Sequence, residues 1–204
     1  LGYFRVAGVE LRPTDDRSSS RIELRADLLC ISGGWNPTVH LLSQAGGSLT
    51  YDEGKACFIP SGDQPALASS IRTVGSANGT FGLNACLAEG HDTGLAVVEK
   101  LTGQRPSPCT TPAADQPDGP NGLQPHWYTT PLGHGRQWVD HLHDVTSHSI
   151  ETAAIEGFTS VEHMKRYTTT GMSYDQGKTA NVSALAILAE ATNRSITEVG
   201  TTRF

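Results

Sequence analysis

Apolar residues recur with helical spacing in the last third of the chain. Val182 opens a stripe that returns after three, four and seven positions, at Leu185, Ala186 and Ala189, which is the pattern of one helix face. Other helices are predicted where a hydroxyl residue stands at a helix start, sometimes with Glu three positions later: Thr146, Thr159 with Glu162, and Ser195 with Glu198. Residues 136–204 are therefore predicted to form a small all-helical domain.

Short strand-like runs and glycine turns alternate in the first 105 residues. Phe4–Leu11 and Arg21–Leu24 predict two strands joined by a polar hairpin loop. Ala26–Ser32 is mostly apolar and is followed by two glycines, which is typical of a central parallel strand. Val39–Gln44 predicts a short helix. The pattern is that of an α/β domain.

A second strand–turn–helix unit follows. Ser70–Val74 predicts a strand, Gly75–Gly79 a turn, and Thr80–Leu101 a helix with Gly90 as an interruption. This is the geometry in which backbone N–H groups approach a dinucleotide pyrophosphate. The turn lacks the G-x-G-x-x-G spacing, so a plain tight turn is the alternative.

Seven of the eleven prolines fall between Thr102 and Pro131, among Ser, Thr, Asp and Gly. A segment of this composition buries too little to form a core and predicts a linker or surface strap. The resulting domains are 1–105 (α/β), 106–135 (linker) and 136–204 (helical).

Composition restricts the classes of partner. A formal net charge of -6 argues against nucleic acid, whose phosphates are bound by basic surfaces. No apolar run is long enough to cross a membrane, so we expect a cytoplasmic location without membrane partners. The four cysteines are scattered without a C-x-x-C pair, so neither a zinc site nor a disulfide framework is predicted.

The stretch Lys165–Asn181 concentrates cations, hydroxyls and glycines before an apolar helix. Such residues at a helix N-terminus favour anion binding. A P-loop is excluded, because five residues rather than four lie between Gly171 and Gly177 and no strand precedes them. An ordinary helix–turn–helix joint with solvated charges is the alternative.

Other chemistry is not indicated. His141, His143 and His148 match no familiar zinc spacing, and no nucleophile motif is present. No catalytic residue and no metal ligand are therefore predicted.

Three motifs resemble one family. They are Ile31-Ser32-Gly33-Gly34-Trp35-Asn36-Pro37, Val74-Gly75-Ser76-Ala77-Asn78-Gly79, and Tyr167–Met172 followed by Asp175-Gln176-Gly177-Lys178-Thr179-Ala180-Asn181. Together they are similar to the alpha subunit of heterotetrameric sarcosine oxidase, and the chain reads as an internal fragment of it. The resemblance implies that residues 1–105 are the second half of a pyridine-nucleotide-disulfide-oxidoreductase-like nucleotide-binding domain. Half of such a domain exposes surface, so self-association is expected.

The resemblance also implies cofactors. An NAD site would be lined by Ser76, Ala77, Phe81 and Leu83. Ser76 stands where related flavoproteins have Asp. The helical domain resembles the small BFD-like 2Fe–2S domain of related dehydrogenases. Its four Cys positions align with Asp140, Leu142, Asp175 and Ala180, and because thiolates hold such clusters, no iron–sulfur cluster is expected.

FMN, bound at the interface with the beta subunit, would meet a set of basic and hydroxyl residues: Lys165, Arg166, Thr168, Thr169, Lys178 and Thr179. FAD would lie in the beta subunit, and tetrahydrofolate on a domain beyond this sequence. Beta, gamma and delta subunits are the implied partners. The whole complex would oxidise sarcosine with oxygen to glycine and hydrogen peroxide. A related amine, proline or opine dehydrogenase subunit and a non-catalytic interaction module are the alternatives.

Overall fold

The computed structural model describes residues 5–13, 21–30, 35–64, 70–110, 123, 125–127 and 135–200. The chain divides into two compact units, Leu1–Trp35 and Asn36–Phe204. Within the described ranges it mixes helices and strands, as predicted, with helices prevailing in the second unit.

The first unit contains one small hairpin. Strands β1 (Val9–Leu11) and β2 (Ile22–Leu24) pair antiparallel, with Val9 opposite Leu24. The predicted pair of strands is confirmed, although both are shorter than their apolar runs.

The predicted central parallel strand over 26–32 is wrong for residues 26–30, which form no strand and expose Leu28 and Leu29. Residues 31–34 lie outside the described ranges. An apolar run becomes a buried strand only beside a neighbouring strand, and β1 and β2 pair with each other.

The second unit opens with α1 (His40–Gln44), as predicted, followed by an unpredicted hairpin of β3 (Leu49–Asp52) and β4 (Cys57–Pro60). The Asp52 carboxylate accepts the Lys55 N–H within the connecting turn. The rings of Tyr51 and Phe58 meet edge to face at 5.2 Å. Phe58 thereby joins the core of the second unit.

The predicted strand over Ser70–Val74 is wrong. Val74 has extended backbone angles, but residues 70–74 pair with no strand in the described part of the chain. A 3-10 helix (Gly75–Asn78) and α2 (Leu83–Thr102) follow. Helix α2 continues through Gly90, which was predicted to interrupt it.

A short ladder, β5 (Trp138–Asp140) with β6 (Val145–Thr146), precedes four helices: α3 (Ser147–Ile155), α4 (Val161–Thr168), α5 (Asn181–Ala191) and α6 (Ile196–Val199). The prediction of an all-helical domain is therefore wrong at its start, where a β-hairpin stands.

The predicted N-caps are largely confirmed. Thr146 caps α3 and Ser195 caps α6, each in a reciprocal capping box. Helix α4 is capped by Ser160, one position after the predicted Thr159.

Helix α5 is the centre of the hydrophobic core. Every side chain from Ala184 to Ala189 is buried, because α3 and α6 pack on the helix and α4 adds Val161 and Met164 to the same cluster. Phe58 of β4 packs in the same cluster. The predicted boundaries at 105 and 136 stay predictions. The two compact units divide after Trp35. None of the helices in the described ranges is long and apolar enough for a membrane crossing.

Candidate functional site

The loop between α4 and α5, residues 169–180, is called the glycine loop below. It begins where Thr169 takes left-handed backbone angles with φ of 63° and ends α4. The Thr168 hydroxyl donates to the Met164 carbonyl at 2.8 Å and lies 2.6 Å from the hydroxyl of Thr170, which is fully buried. The start of the loop is therefore fixed by internal hydrogen bonds.

Gly171 and Gly177 touch in the middle of this loop. Both have left-handed angles, with φ of 70° and 72°. A Cβ on Gly171 would lie 3.2 Å from the Gly177 Cα and 2.5 Å from the Asn181 Oδ1, and a Cβ on Gly177 would lie 2.1 Å from that same oxygen. Only glycine fits at either position, so the predicted turn role of both residues is confirmed.

Asp140, at the end of β5, reaches this loop from 31 residues away in sequence. Its Oδ2 accepts the Gly171 N–H at 2.8 Å, and its Oδ1 accepts the N–H groups of Leu142 at 2.9 Å and His143 at 3.3 Å. The side chain is buried, with 3% exposure. A buried carboxylate satisfied by backbone donors is a strong structural anchor.

Asp175 organises the second half of the loop. Its two oxygens accept the Gly177 N–H and the Thr179 hydroxyl, each at 3.1 Å. Burial raises the pKa of Asp175, but the hydrogen bonds from Gly177 and Thr179 outweigh it and leave that pKa below its usual value. The carboxylate is therefore ionised at neutral pH.

Lys165 and Lys178 supply positive charge beside the touching glycines. Lys165 is half-buried, and its Cε lies 3.2 Å from the Cβ position of Gly171. Burial lowers the pKa of Lys165, with the Glu162 carboxylate acting in the opposite direction. Lys178 is exposed. An anion placed here would favour the charged form of Lys165, against the effect of burial.

Arg166 and the three threonines predicted to meet FMN make contacts within the chain. Arg166, adjacent to Lys165 on α4, faces Glu162 at 3.5 Å in an exposed ion pair. The hydroxyls of Thr168, Thr169 and Thr179 donate to Met164, to the Thr168 carbonyl and to Asp175. Lys165 therefore lies beside Gly171, and Lys178 follows Gly177 directly in the chain.

A pocket of about 160 Å³, which sequence reasoning missed, adjoins the loop. It is lined by α1, by β3 and β4, by residues 176–178 and by the start of α5. Val39, Phe58 and Leu185 are buried apolar lining residues, and Lys178 is the one Lys or Arg among the described lining residues. No sequence pattern marks the pocket, because its walls come from segments more than 100 positions apart.

The four residues predicted to line NAD lie together. Ser76 and Ala77 belong to the 3-10 helix, Phe81 follows it, and Leu83 is the first residue of α2 and 46% exposed. Helix α2 has no side-chain cap and no acidic residue in its first turn, so its N-terminus can face an anion.

Glu89 occupies the other side of this turn. Its carboxylate accepts the Gly75 N–H at 2.8 Å and the Asn78 Nδ2 at 2.6 Å. Burial raises the pKa of Glu89, but hydrogen bonds from Asn78, Gly75 and Thr80 leave it below its usual value. The Gly75 N–H is therefore not available to a pyrophosphate, and an anion would have to use the start of α2.

The positions that the resemblance aligns with cluster ligands carry other roles. Asp140 and Asp175 each accept the N–H of one of the two touching glycines. Ala180 is buried and Leu142 is 42% exposed. These residues do not fit a 2Fe–2S cluster, because none offers a thiolate. Across the described ranges no three His, Cys, Asp or Glu side chains are grouped to hold a metal ion.

Comparison with known proteins gives a consistent family signal. Residues 134–204 match the family described as "Sarcosine oxidase A3 domain". The sarcosine oxidase subunit alpha of Rhizobium meliloti (strain 1021) is 36% identical over 181 residues, which is 89% of this chain and 18% of that protein. That of Corynebacterium sp. (strain P-1) is 33% identical over 189 residues, again 18% of the protein.

The fold is shared with a solved structure. The crystal structure of L-proline dehydrogenase from P. horikoshii covers 99% of this chain with a TM-score of 0.73 and 19% identity, and the chain spans 40% of it. At this identity the likeness concerns the fold alone. The predicted resemblance to sarcosine oxidase alpha subunits is confirmed, and the chain spans about a fifth of the length of those relatives.

Proposed function

We propose that this chain is the part of a sarcosine-oxidase-type alpha subunit that holds a flavin phosphate at the interface with a beta subunit. The observation that carries the proposal is the placement of Lys165 and Lys178 beside the Gly171–Gly177 contact, directly before α5. Helix α5 has no side-chain cap and no acidic residue in its first turn, so its dipole adds to the two cations.

The site suits the phosphate group of FMN better than it suits the flavin ring. The ammonium groups of Lys165 and Lys178 would bind the phosphate oxygens. When bound, FMN supplies electron-transfer chemistry, and the residues of this chain supply binding and orientation. Ser76, Ala77, Phe81 and Leu83, at the uncapped start of α2, are proposed to line NAD.

The activity proposed for the whole complex is the one that the names of the relatives state. We propose that it oxidises the N-methyl group of sarcosine with oxygen, gives glycine and hydrogen peroxide, and passes the one-carbon unit to tetrahydrofolate on a domain outside these 204 residues. Sarcosine oxidation would take place in the beta subunit, which would also hold FAD. Gamma and delta subunits complete the proposed heterotetramer.

Two other functions compete with this one. A related amine, proline or opine dehydrogenase subunit is one, since this chain shares its fold with the L-proline dehydrogenase structure. A non-catalytic interaction module is favoured by the exposure of Ile155 and Tyr174, each 85% exposed.

Absorbance spectra and mass analysis of cofactors released from the co-expressed complex separate the three proposed functions. Sarcosine oxidase chemistry predicts FMN, FAD and NAD; a dehydrogenase would show iron–sulfur absorbance, and a module no cofactor.

The phosphate site is tested with Lys165→Met and Lys178→Met in the full alpha subunit assembled with its partners. Methionine keeps an unbranched apolar stem and removes the charge. We expect each variant to weaken FMN retention by about tenfold or more, with FAD content unchanged. Lys100→Met, in the last turn of α2, is the matched control. Unchanged FMN retention in both loop variants would overturn the proposal.

A further inference from the structure

We infer that Asp140 is a positioning residue for the phosphate site, because its carboxylate holds Gly171 in the place against which Lys165 packs. This inference rests on the proposed function and extends it to a residue outside the basic stretch. Asp140 lies on β5, and nothing in its local sequence links it to the glycine loop.

The hydrogen bonds of Asp140 point to positioning. The side chain is 3% exposed, yet no cation forms an ion pair with it in the described part of the chain. Its three partners are backbone N–H groups, two from its own turn and the third from Gly171. Removing such an acceptor would leave the Gly171 N–H buried without a partner, so the bond holds Gly171 at one position.

Gly171 transmits this constraint to the proposed phosphate ligands. On the side where a Cβ would stand it faces the Asn181 Oδ1, the Gly177 Cα and the Lys165 Cε, all within 3.2 Å of that position. The loop cannot shift at Gly171 without disturbing both Lys165 and the turn that carries Lys178.

Asn181 closes the arrangement from the other side. Its Nδ2 donates to the Gln176 carbonyl at 3.3 Å, which directs its buried Oδ1 toward the two glycines. This oxygen has no hydrogen-bond donor among the described residues. Asp140 and Asn181 thus hold the loop before any anion arrives, which reduces the ordering cost of binding.

The test uses Asp140→Ala and Asp140→Asn in the full alpha subunit assembled with its partners. Hydrogen exchange of the 168–178 segment and retention of FMN are both measured. We expect Asp140→Ala to speed exchange in that segment and to weaken FMN retention, each by about tenfold, while the 183–190 segment of α5 keeps its protection. Asp140→Asn retains one acceptor oxygen, so its exchange rate and FMN retention should lie between those of the wild type and of Asp140→Ala. This variant keeps the test valid if the alanine variant does not fold. Asp144→Asn, on the same turn but exposed, is the control and should change neither quantity.

The outcomes distinguish this inference from the function on which it rests. Unchanged exchange at 168–178 in both Asp140 variants would overturn the inference. Faster exchange with normal FMN retention would also overturn it, and would leave the phosphate site standing if Lys165→Met still loses FMN. Normal FMN retention in the Asp140 and lysine variants alike would overturn the proposed function and the positioning role together.

Discussion

The carboxylate of Asp140 accepts the backbone N–H of Gly171 at 2.8 Å, across 31 residues of sequence. This bond joins the β5–β6 hairpin to the loop that precedes the central helix α5. The hairpin thereby supports the loop that carries Lys178 and the two touching glycines, beside which Lys165 of α4 packs.

Substituting the touching glycines should destabilise the fold through two separable effects. Gly171→Ala and Gly177→Ala are each expected to lower the free energy of unfolding by about 3 kcal/mol. About 1 kcal/mol of this comes from left-handed backbone and about 2 kcal/mol from overpacking against Asn181. Denaturant unfolding monitored by circular dichroism measures the loss.

The chain offers controls for both effects. Gly103 has a φ of 72° and open space around its Cβ position, so Gly103→Ala should cost only the backbone part, about 1 kcal/mol. Combining Gly177→Ala with Asn181→Ala should remove the steric part, because the clashing atoms belong to Asn181. Equal losses for Gly103→Ala and Gly177→Ala would contradict this steric account.

Phe58 should stabilise the helical core although it lies far before the helices in sequence. It is 8% exposed and packs in the cluster formed with α5. Phe58→Ala is expected to reduce the unfolding free energy reported by slowly exchanging α5 amides by about 3 kcal/mol or more. Tyr174→Ala, at an 85% exposed position, should change it by less than about 0.5 kcal/mol. An unaffected α5 would support a domain boundary near residue 105 that separates the hairpin from the helices.

The stability effect of Lys165 should depend on pH. Burial lowers the pKa of Lys165 in the folded state. At pH values below this lowered pKa the buried side chain is charged, and its charge then destabilises the folded state. In the absence of a bound anion, the stability advantage of Lys165→Met over the wild type should be greatest at neutral pH. It should shrink as the pH rises through the lowered pKa toward about 10.4, the ordinary value for lysine. Thermal unfolding of both proteins across this range gives the difference, and a difference that stays constant would refute a buried, charge-disfavouring site.

Local signals predicted the helices well. Thr146 and Ser195 cap helices as expected, because a cap depends on residues three positions away. The predictions of strand failed over 26–30, the described part of 26–32, and over 70–74, because a strand also needs a partner, which its own sequence does not reveal. The β3–β4 hairpin was missed although Leu49 and Tyr51 alternate with polar residues before a turn.

The sequence predicted the turns of the candidate site but not which side chains contact each other there. Gly171 and Gly177 were predicted to supply turns, and both have positive φ. Lys165 and Arg166 looked equivalent in sequence, yet one packs on Gly171 and the other pairs with Glu162, because adjacent helix residues point about 100° apart. The contact of Asp140 with Gly171 was not predicted, since it joins segments that only tertiary packing brings together.

The central claim is that the glycine loop holds a flavin phosphate, and a structure of the assembled complex tests it most directly. We expect a phosphate oxygen of FMN within about 3.2 Å of the Lys165 or Lys178 Nζ, with the Asp140–Gly171 hydrogen bond intact beside it. A complex in which the nearest flavin phosphate lies elsewhere, with both lysines facing solvent or protein alone, would contradict it.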